Sequence, residues 1–323
     1  MVRVDRGGVF AIDTLPITVT TASSPSSSPS PLPTPSPSPI PSPAPGSQTL
    51  PWGVDRIDAE RIWSTTTADT VKVAIIDTGV DLDHPDLAAN IKGGVNTIDA
   101  LQSADDDNGH GSHVTGTVAA LNNTFGVVGV GPAIDIYAVK ALNSTGGGFL
   151  SDVIEGLQWS VDNNIKVVNM SLGLTVDVIA FHNTIIAAQN AGITIVAAAG
   201  NSGPADNTVY YPAKYPEVVA VAAINQSNGQ SAYSSRGPEI DLAAPGDSIY
   251  STVRGGSYAT YTGTSMSSPH VAGAAALVLA THPSLTPAQV QAHLQSTAER
   301  LLNLSTNQQG SGLVDAERAV ITP

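Results

Sequence analysis

Short apolar runs alternate along this chain with longer segments that have helical periodicity. The run from Val71 to Ile76 is almost continuously apolar and rich in β-branched residues, as is typical of a strand buried on both faces. Similar runs predict further strands over residues 134–140, 166–169, 193–197, 218–222 and 242–244. Strands that alternate with helices in this way predict an α/β fold, with three α/β/α layers and a mostly parallel central sheet.

Helical periodicity fills the segments between these strands. Apolar residues recur at helical spacing over residues 112–121, 151–164, 178–190 and 286–297, and again from Asp315 onward. The segment from Val271 to Ala280 predicts one more helix, which is apolar throughout. Pro269 is expected near the start of that helix, because deeper inside it would remove a backbone hydrogen bond.

The composition changes sharply before the first of these elements. From Thr21 to Ser47 the chain is almost wholly Ser, Pro, Thr, Ala and Gly without a charge, which predicts an extended, hydrated linker. An O-glycosylated or proteolytically processed stalk is the alternative for the same composition. Residues 1–20 are too short to bury a core, so the folded domain is expected over residues 48–323.

Acidic residues outnumber basic ones by 27 to 13, for a formal net charge of −14. This balance argues against nucleic acid and anionic membrane surfaces as partners, and it is compatible with bound calcium. Cysteine is absent, which excludes disulfides, thiolate catalysis and thiolate metal sites. No apolar run approaches the roughly 18 residues that span a bilayer, and the charged N-terminus lacks the apolar core of a signal peptide.

Ser265 lies in a small-residue turn, Gly263–His270, that leads directly into the apolar helix. The start of a helix offers backbone N–H groups without intrahelical partners and the positive end of the helix dipole. Such a position can stabilise negative charge that develops next to a serine oxygen. Because a serine at a helix start is most often a cap, a catalytic role requires a base and a carboxylate elsewhere in the chain.

Several polar residues fall where predicted strands or helices end or begin. Asp77 follows the first apolar strand, Asn201 follows the strand over residues 193–197, and His110 begins a small-residue helix after an acidic loop. Each alone has an ordinary explanation as a turn or cap residue. Ligands of parallel sheets bind at the carboxyl ends of the strands, however, so Asp77, His110 and Ser265 can together supply a carboxylate, a base and a nucleophile.

Four stretches of the chain resemble the signature motifs of subtilisin-like serine proteases, the subtilase family, and occur in the family's order. They are Ile75–Gly79, His110–Val114, Ala198–Asn201 and Gly263–Pro269. The resemblance extends from about Gln48 to the chain end and implies a serine endopeptidase that hydrolyses peptide bonds through an acyl-enzyme. An α/β-hydrolase esterase would need a second glycine where Ser267 stands, and the chain order Ser, Asp, His in place of Asp, His, Ser. The non-enzymatic alternative is a catalytically silent scaffold that binds peptides.

The resemblance also implies the role of each residue. Ser265 is the expected nucleophile, His110 the base that later acts as an acid, and Asp77 the carboxylate that orients it. The Asn201 side chain and the Ser265 backbone N–H are expected to bind the oxyanion. His113 is expected to be a packed, hydrogen-bonded core residue. No catalytic role is assigned to His84, His182, His270, His282 or His293, and Asp106 and Asp107 are expected to be solvated loop charges.

In this family the substrate binds as an added strand between two segments, here Gly146–Gly148 and Ser171–Gly173. The expected substrate-binding residues are Gly146, Gly147, Gly148, Leu150, Ser171, Leu172, Gly173, Ala198, Gly200 and Tyr210. Leu150 falls where relatives often have an aromatic wall. Tyr210 falls at the base of the primary pocket, which receives the side chain of P1, the residue whose carbonyl is attacked. We therefore expect broad specificity, with a shallow pocket that has little attraction for cationic P1 side chains.

The segment Leu121–Val127 resembles the high-affinity calcium loop of the family. The implied oxygen ligands of Ca2+ are Gln48, Asp86, the side chain of Asn123, and the carbonyls of Leu121, Phe125 and Val127. Protein and peptide substrates are the expected partners of a monomer, together with a propeptide or proteinaceous inhibitor. Residues 1–20 are interpreted as a propeptide remnant. Secretion is expected, with an intracellular location as the alternative.

Overall fold

The computed structural model describes residues 9–11 and 47–323. The predicted N-terminal segment, except for residues 9–11, and the predicted linker, except for Ser47, lie outside the described part of the chain. The strands are β1 (Val9–Ala11), β2 (Lys72–Asp77), β3 (Ile91–Asn96), β4 (Asp135–Lys140), β5 (Gly147–Phe149), β6 (Val167–Met170), β7 (Thr194–Ala198), β8 (Val218–Ile224), β9 (Leu242–Pro245), β10 (Ile249–Val253) and β11 (Ser257–Tyr261). The helices are α1 (Trp52–Arg56), α2 (His110–Ala119), α3 (Leu150–Asp162), α4 (Ile179–Asn190), α5 (Thr264–Thr281), α6 (Pro287–Thr297), α7 (Thr306–Gln309) and α8 (Ala316–Ile321), with a 3₁₀ helix over Ala59–Ile62.

Seven strands form one sheet in the order β3-β4-β2-β6-β7-β8-β9, and each neighbouring pair is parallel. Strands β6, β7, β8 and β9 are buried at every position, as their continuous apolar runs require when helices cover both faces. The predicted parallel sheet is therefore confirmed.

Side chains of β2 divide between two hydrophobic cores because successive residues of a strand point to opposite faces. Val73 and Ile75 belong to the core that contains apolar residues of α2, α5, α6 and α8. Ala74 and Ile76 belong to the core that contains apolar residues of α3 and α4. Helices thus cover both faces of the sheet, which confirms the three α/β/α layers.

The elements absent from the sequence prediction are mainly polar ones. The edge strand β3 has an exposed middle, Lys92–Gly94. The hairpin of β10 and β11 is antiparallel and mixes polar with apolar residues, and its turn contains Gly255 and Gly256 at φ of +79° and +65°. Neither has the continuous apolar run by which the buried strands are recognised.

Pro269 is the sixth residue of α5 and not part of its first turn, so the expected position was wrong. A proline there cannot donate to the carbonyl of Ser265, four residues earlier. That carbonyl instead accepts a hydrogen bond of 2.7 Å from the Ser171 hydroxyl. A side chain from the loop after β6 therefore replaces the missing helical bond.

His113 is a buried core residue, as predicted. Its Nε2 lies 2.9 Å from the Ile249 carbonyl oxygen, and its ring stacks on Tyr261 at 4.4 Å between centroids. Burial lowers the pKa of His113 to about 3 and that of the equally buried His270 to about 4. Both rings are therefore neutral near pH 7 and add no positive charge beside His110. None of the helices in the described residues is long and apolar enough to cross a membrane.

Candidate active site

Asp77 and His110 are joined at the carboxyl edge of the sheet. Asp77 is the last residue of β2, and His110 is the first residue of α2. The imidazole Nδ1 lies 2.8 Å from Asp77 Oδ1, which also accepts the Thr78 backbone N–H at 2.7 Å. A proton on Nδ1 leaves Nε2 as a hydrogen-bond acceptor. Within the described residues this buried Nε2 has no hydrogen-bond partner, so it remains able to accept a proton.

Asp106 holds this pair in place, which corrects the expectation of a solvated charge. Its side chain is buried, with 5% of its surface exposed. One carboxylate oxygen accepts hydrogen bonds from the Thr78 hydroxyl and from the N–H groups of Asn108 and Gly109, and the other from the N–H and hydroxyl of Ser112. The carboxylate therefore ties the start of α2 to the end of β2. Asp107, in contrast, is half-exposed and pairs with Lys140 at 2.6 Å.

Ser265 is the second residue of α5 and is 4% exposed. Its hydroxyl donates to the Ser171 carbonyl oxygen at 3.1 Å, while the Ser171 hydroxyl donates to the Ser265 carbonyl. Of the two hydrogen bonds in a serine triad, the structure contains the one between His110 and Asp77, and the Ser265 hydroxyl is turned toward Ser171. Catalytic hydrogen bonds are often formed fully only when substrate binds.

Thr264 fixes the side-chain amide of Asn201. Its backbone N–H and its hydroxyl both donate to Asn201 Oδ1, each at 3.0 Å, and the same hydroxyl accepts the Gly200 N–H at 3.1 Å. With the amide oxygen oriented toward Thr264, the donor end of the amide is oriented too. The sequence analysis did not single out Thr264. Its only signal there is a hydroxyl residue next to the nucleophile at a helix start.

A small pocket opens beside Ser265. Its lining contains six of the predicted substrate-binding residues, two of the four predicted catalytic residues and Thr264: Ser171, Leu172, Gly173, Ala198, Gly200, Asn201, Tyr210, Thr264 and Ser265. None of these side chains is charged. The other four predicted substrate-binding residues lie outside the pocket. Gly146 precedes strand β5, and Gly147 and Gly148 belong to that strand. Leu150 begins α3 and is buried in the core.

Strand β5 pairs with β1 as a two-stranded antiparallel ribbon, in which Phe10 lies opposite Gly148. A side chain at Gly148 would come within 2.5 Å of the Ala141 carbonyl oxygen, so this position requires glycine. The pairing shows that the backbone of β5 can accept an added extended segment.

The six residues expected to bind calcium converge in the structure. Gln48 Nε2 lies at 2.6 Å from the Leu121 carbonyl, 3.1 Å from the Val127 carbonyl and 3.3 Å from Asn123 Oδ1, with the Phe125 carbonyl at 3.5 Å. Asp86 accepts from the Asn123 amide at 2.6 Å and from the Val127 N–H at 2.9 Å. Burial raises the pKa of the Asp86 carboxyl.

The positively polarised amide nitrogen of Gln48 thus lies at the centre of a ring of oxygen atoms. Oxygen atoms are the ligands that a hard cation such as Ca2+ prefers. The two ends of a glutamine amide are assigned from their hydrogen bonds, and rotation by half a turn would present its oxygen instead. Across residues 47–323, no three Asp, Glu or His side chains are grouped closely enough to bind a metal. A cation at this ring would therefore depend mainly on carbonyl oxygens.

A buried carboxylate–imidazole pair at the carboxyl edge of a parallel sheet, in a fold that also has a serine at the start of a helix, is the set of groups expected of a serine hydrolase. Residues 68–312 match the Subtilase family, and the chain belongs to that family. It is 47% identical over 277 residues to subtilisin E of Bacillus subtilis (strain 168), an alignment that covers 84% of this chain and 72% of the relative. The subtilisin of Bacillus pumilus has the same identity, with 99% of it covered, and subtilisin Savinase of Lederbergia lenta is 44% identical over 274 residues. The chain is therefore a serine endopeptidase.

Proposed function

We propose that Ser265, His110 and Asp77 hydrolyse peptide bonds as a catalytic triad. The bond between His110 Nδ1 and Asp77 Oδ1 carries this assignment, because it leaves Nε2, which has no partner among the described residues, as the proton acceptor. When Ser265 Oγ attacks the substrate carbonyl carbon, Nε2 takes its proton. Nε2 then protonates the amine nitrogen as the peptide bond breaks, which releases the amine and leaves an acyl-enzyme. A water molecule, deprotonated by His110, hydrolyses the ester and restores Ser265.

Two hydrogen-bond donors are proposed to stabilise the negatively charged oxygen of the tetrahedral intermediate. The Ser265 N–H lies in the first turn of α5, where backbone N–H groups have no intrahelical acceptor. The Asn201 amide is the second donor, and its orientation by Thr264 supports this role. Groups held in place before the reaction need no reorganisation when charge develops, which is why they favour the transition state. Covalent capture of Ser265 by diisopropyl fluorophosphate, mapped by mass spectrometry, tests the nucleophile directly.

The substrate is proposed to bind as an extended strand between β5 and the segment Ser171–Gly173. The pairing of β1 with β5 supports this mode, because an extended segment already pairs there with the backbone of β5. The uncharged lining of the pocket supports selection against cationic P1 side chains, since a buried ammonium or guanidinium group without a partner is costly.

We propose that the ring around Gln48 binds calcium. Bound Ca2+ would offset the negative charge of Asp86 and link the start of the folded domain to the loop after α2. The convergence of four oxygen atoms on one amide nitrogen supports the proposal.

Chelation is expected to lower the melting temperature of the chain by on the order of 10 °C, because a metal that binds only the folded state stabilises it by mass action. The measurement compares thermal unfolding with excess calcium and with EDTA. The Gln48→Leu variant, which lacks one ligand, should show a smaller difference at limiting calcium. Identical melting temperatures of the native chain in the two buffers would contradict the proposal, and would mean that the Gln48 amide closes the ring without a metal.

The N-terminal segment is proposed to be a propeptide remnant that competes with substrate for β5. The register of β1 along β5 supports this proposal. A variant that begins at Ser47 should have a lower KM for peptide substrates than the full chain, with kcat unchanged. Equal KM values would contradict competition at β5.

Secretion, proposed from the Pro/Ser-rich linker, is tested by assaying the culture medium and the cell lysate of the native host.

A further inference from the structure

The side chain of Tyr210 forms part of the lining of the pocket beside Ser265. A methyl group placed on Gly200 would lie 2.7 Å from the Cγ of Tyr210, and one placed on Gly173 would lie 3.0 Å from its Cβ. The first distance is too short for any real contact and the second is tighter than most, so the Tyr210 side chain packs directly against the backbone of both glycines. Gly173, Gly200 and Tyr210 all line the pocket, which is therefore narrowed by a side chain of the protein itself.

Both ends of Tyr210 are anchored. The phenol oxygen lies 2.6 Å from the hydroxyl of Ser202, and the backbone N–H donates to the Ala199 carbonyl at 2.9 Å. The next residue, Tyr211, exchanges two backbone hydrogen bonds with Leu174, at 2.8 and 2.9 Å. Withdrawal of the ring would have to break the hydroxyl contact, and a shift of the backbone that carries it would also have to break these backbone hydrogen bonds.

Little space remains beside the ring. The pocket has a volume of about 10 Å³, close to the least that accommodates one water molecule. Hydrogen or methyl is compatible with such a volume, whereas a leucine, phenylalanine or lysine side chain would require the ring to move. Insertion of a large group into a tightly packed site forces strained rotamers or backbone shifts.

We propose that Tyr210 determines the specificity of this protease by excluding large P1 side chains, so that it cleaves after glycine, alanine and serine. The inference rests on the proposed function, because the pocket receives P1 only if Ser265 is the nucleophile. Ser265 and Asn201 belong to the pocket lining, so the side chain of the residue whose carbonyl is attacked must point into it. Specificity is then set by steric exclusion as well as by the absence of an acid.

The test uses the full chain and tetrapeptide p-nitroanilides that differ only at P1, with alanine, leucine, phenylalanine or lysine. We expect kcat/KM to be highest for alanine and lower by at least about 100-fold for phenylalanine and lysine. Peptide aldehydes with the same P1 residues should inhibit in the same order. The aldehyde series tests the pocket in the native chain even if variants fold poorly.

Two substitutions separate the ring from its hydroxyl. In Tyr210→Gly the ratio of kcat/KM for phenylalanine over alanine should rise by at least about 30-fold, because the ring is gone. In Tyr210→Phe the ring remains without the bond to Ser202, so the ratio should stay within about 3-fold of the native value. Equal kcat/KM for phenylalanine and alanine in the native chain would overturn the inference and leave the proposed function standing. If the native chain hydrolysed none of the substrates and Ser265 did not react with diisopropyl fluorophosphate, both the inference about Tyr210 and the proposed function would be overturned.

Discussion

Replacement of Ser265 by alanine is expected to lower kcat by about a million-fold, which is the magnitude known for subtilisin itself. The loss is this large because the attacking oxygen disappears, while the groups that bind the substrate and the oxyanion remain. His110→Ala should cost a similar factor, and the double variant should be no slower than either single one, because the two residues act as a unit. The measurement is steady-state hydrolysis of an alanine p-nitroanilide.

Ser267→Ala is the matched control for this experiment. Ser267 lies two residues further along α5, and its hydroxyl is buried without a hydrogen-bond partner in the described residues. Its removal should leave kcat and the melting temperature close to native. Equal activity of the native chain and Ser265→Ala would contradict the triad. A native chain that binds peptide but does not hydrolyse it would favour the silent peptide-binding scaffold.

Asn201→Ala is expected to lower kcat by about 100- to 1000-fold and to leave KM nearly unchanged, again the magnitude known for subtilisin. The amide donates to the oxyanion only after the carbonyl carbon becomes tetrahedral. Its loss therefore raises the free energy of the transition state without weakening the binding of the substrate. Measurement of kcat and KM on the same alanine substrate distinguishes this role from uniform substrate binding.

Asn183→Ala provides the control for Asn201→Ala. Asn183 is exposed on α4, away from the pocket lining, so its truncation should change neither constant. A rise in KM with native kcat in Asn201→Ala would show that the amide binds the ground state, and the assignment to the oxyanion would be wrong.

The elements that the sequence could predict are the buried ones. Strands β6 to β9 and helices α3, α4 and α6 have apolar patterns dictated by burial, and the structure differs from their predicted bounds by at most two residues. Helix α5 begins at Thr264, seven residues before the predicted Val271, so the expected turn around Ser265 is already helical. Strand β3 and the β10–β11 hairpin were not predicted, because they contain polar residues and lack the continuous apolar run of a buried strand. Their pairing depends on neighbours that are distant in the chain.

The same division applies to the site. The residue types and the order of Asp77, His110 and Ser265 are local features of motifs, so the sequence could identify them. The supporting residues Asp106 and Thr264 act through hydrogen bonds to groups from other elements. A carboxylate in an acidic loop looks solvated until the folded chain directs donors toward both of its oxygens.

The sequence by itself determined the α/β class, the subtilase family, the candidate catalytic residues and the unusual tyrosine at position 210. Tertiary structure alone decided where the side chain of that tyrosine lies, because its contacts with Gly173, Gly200 and Ser202 join separate segments of the chain. It also decided that Ser171 supports the nucleophile through a carbonyl that Pro269 leaves unpaired. Both outcomes follow from contacts between distant residues, whose distances local sequence patterns do not specify.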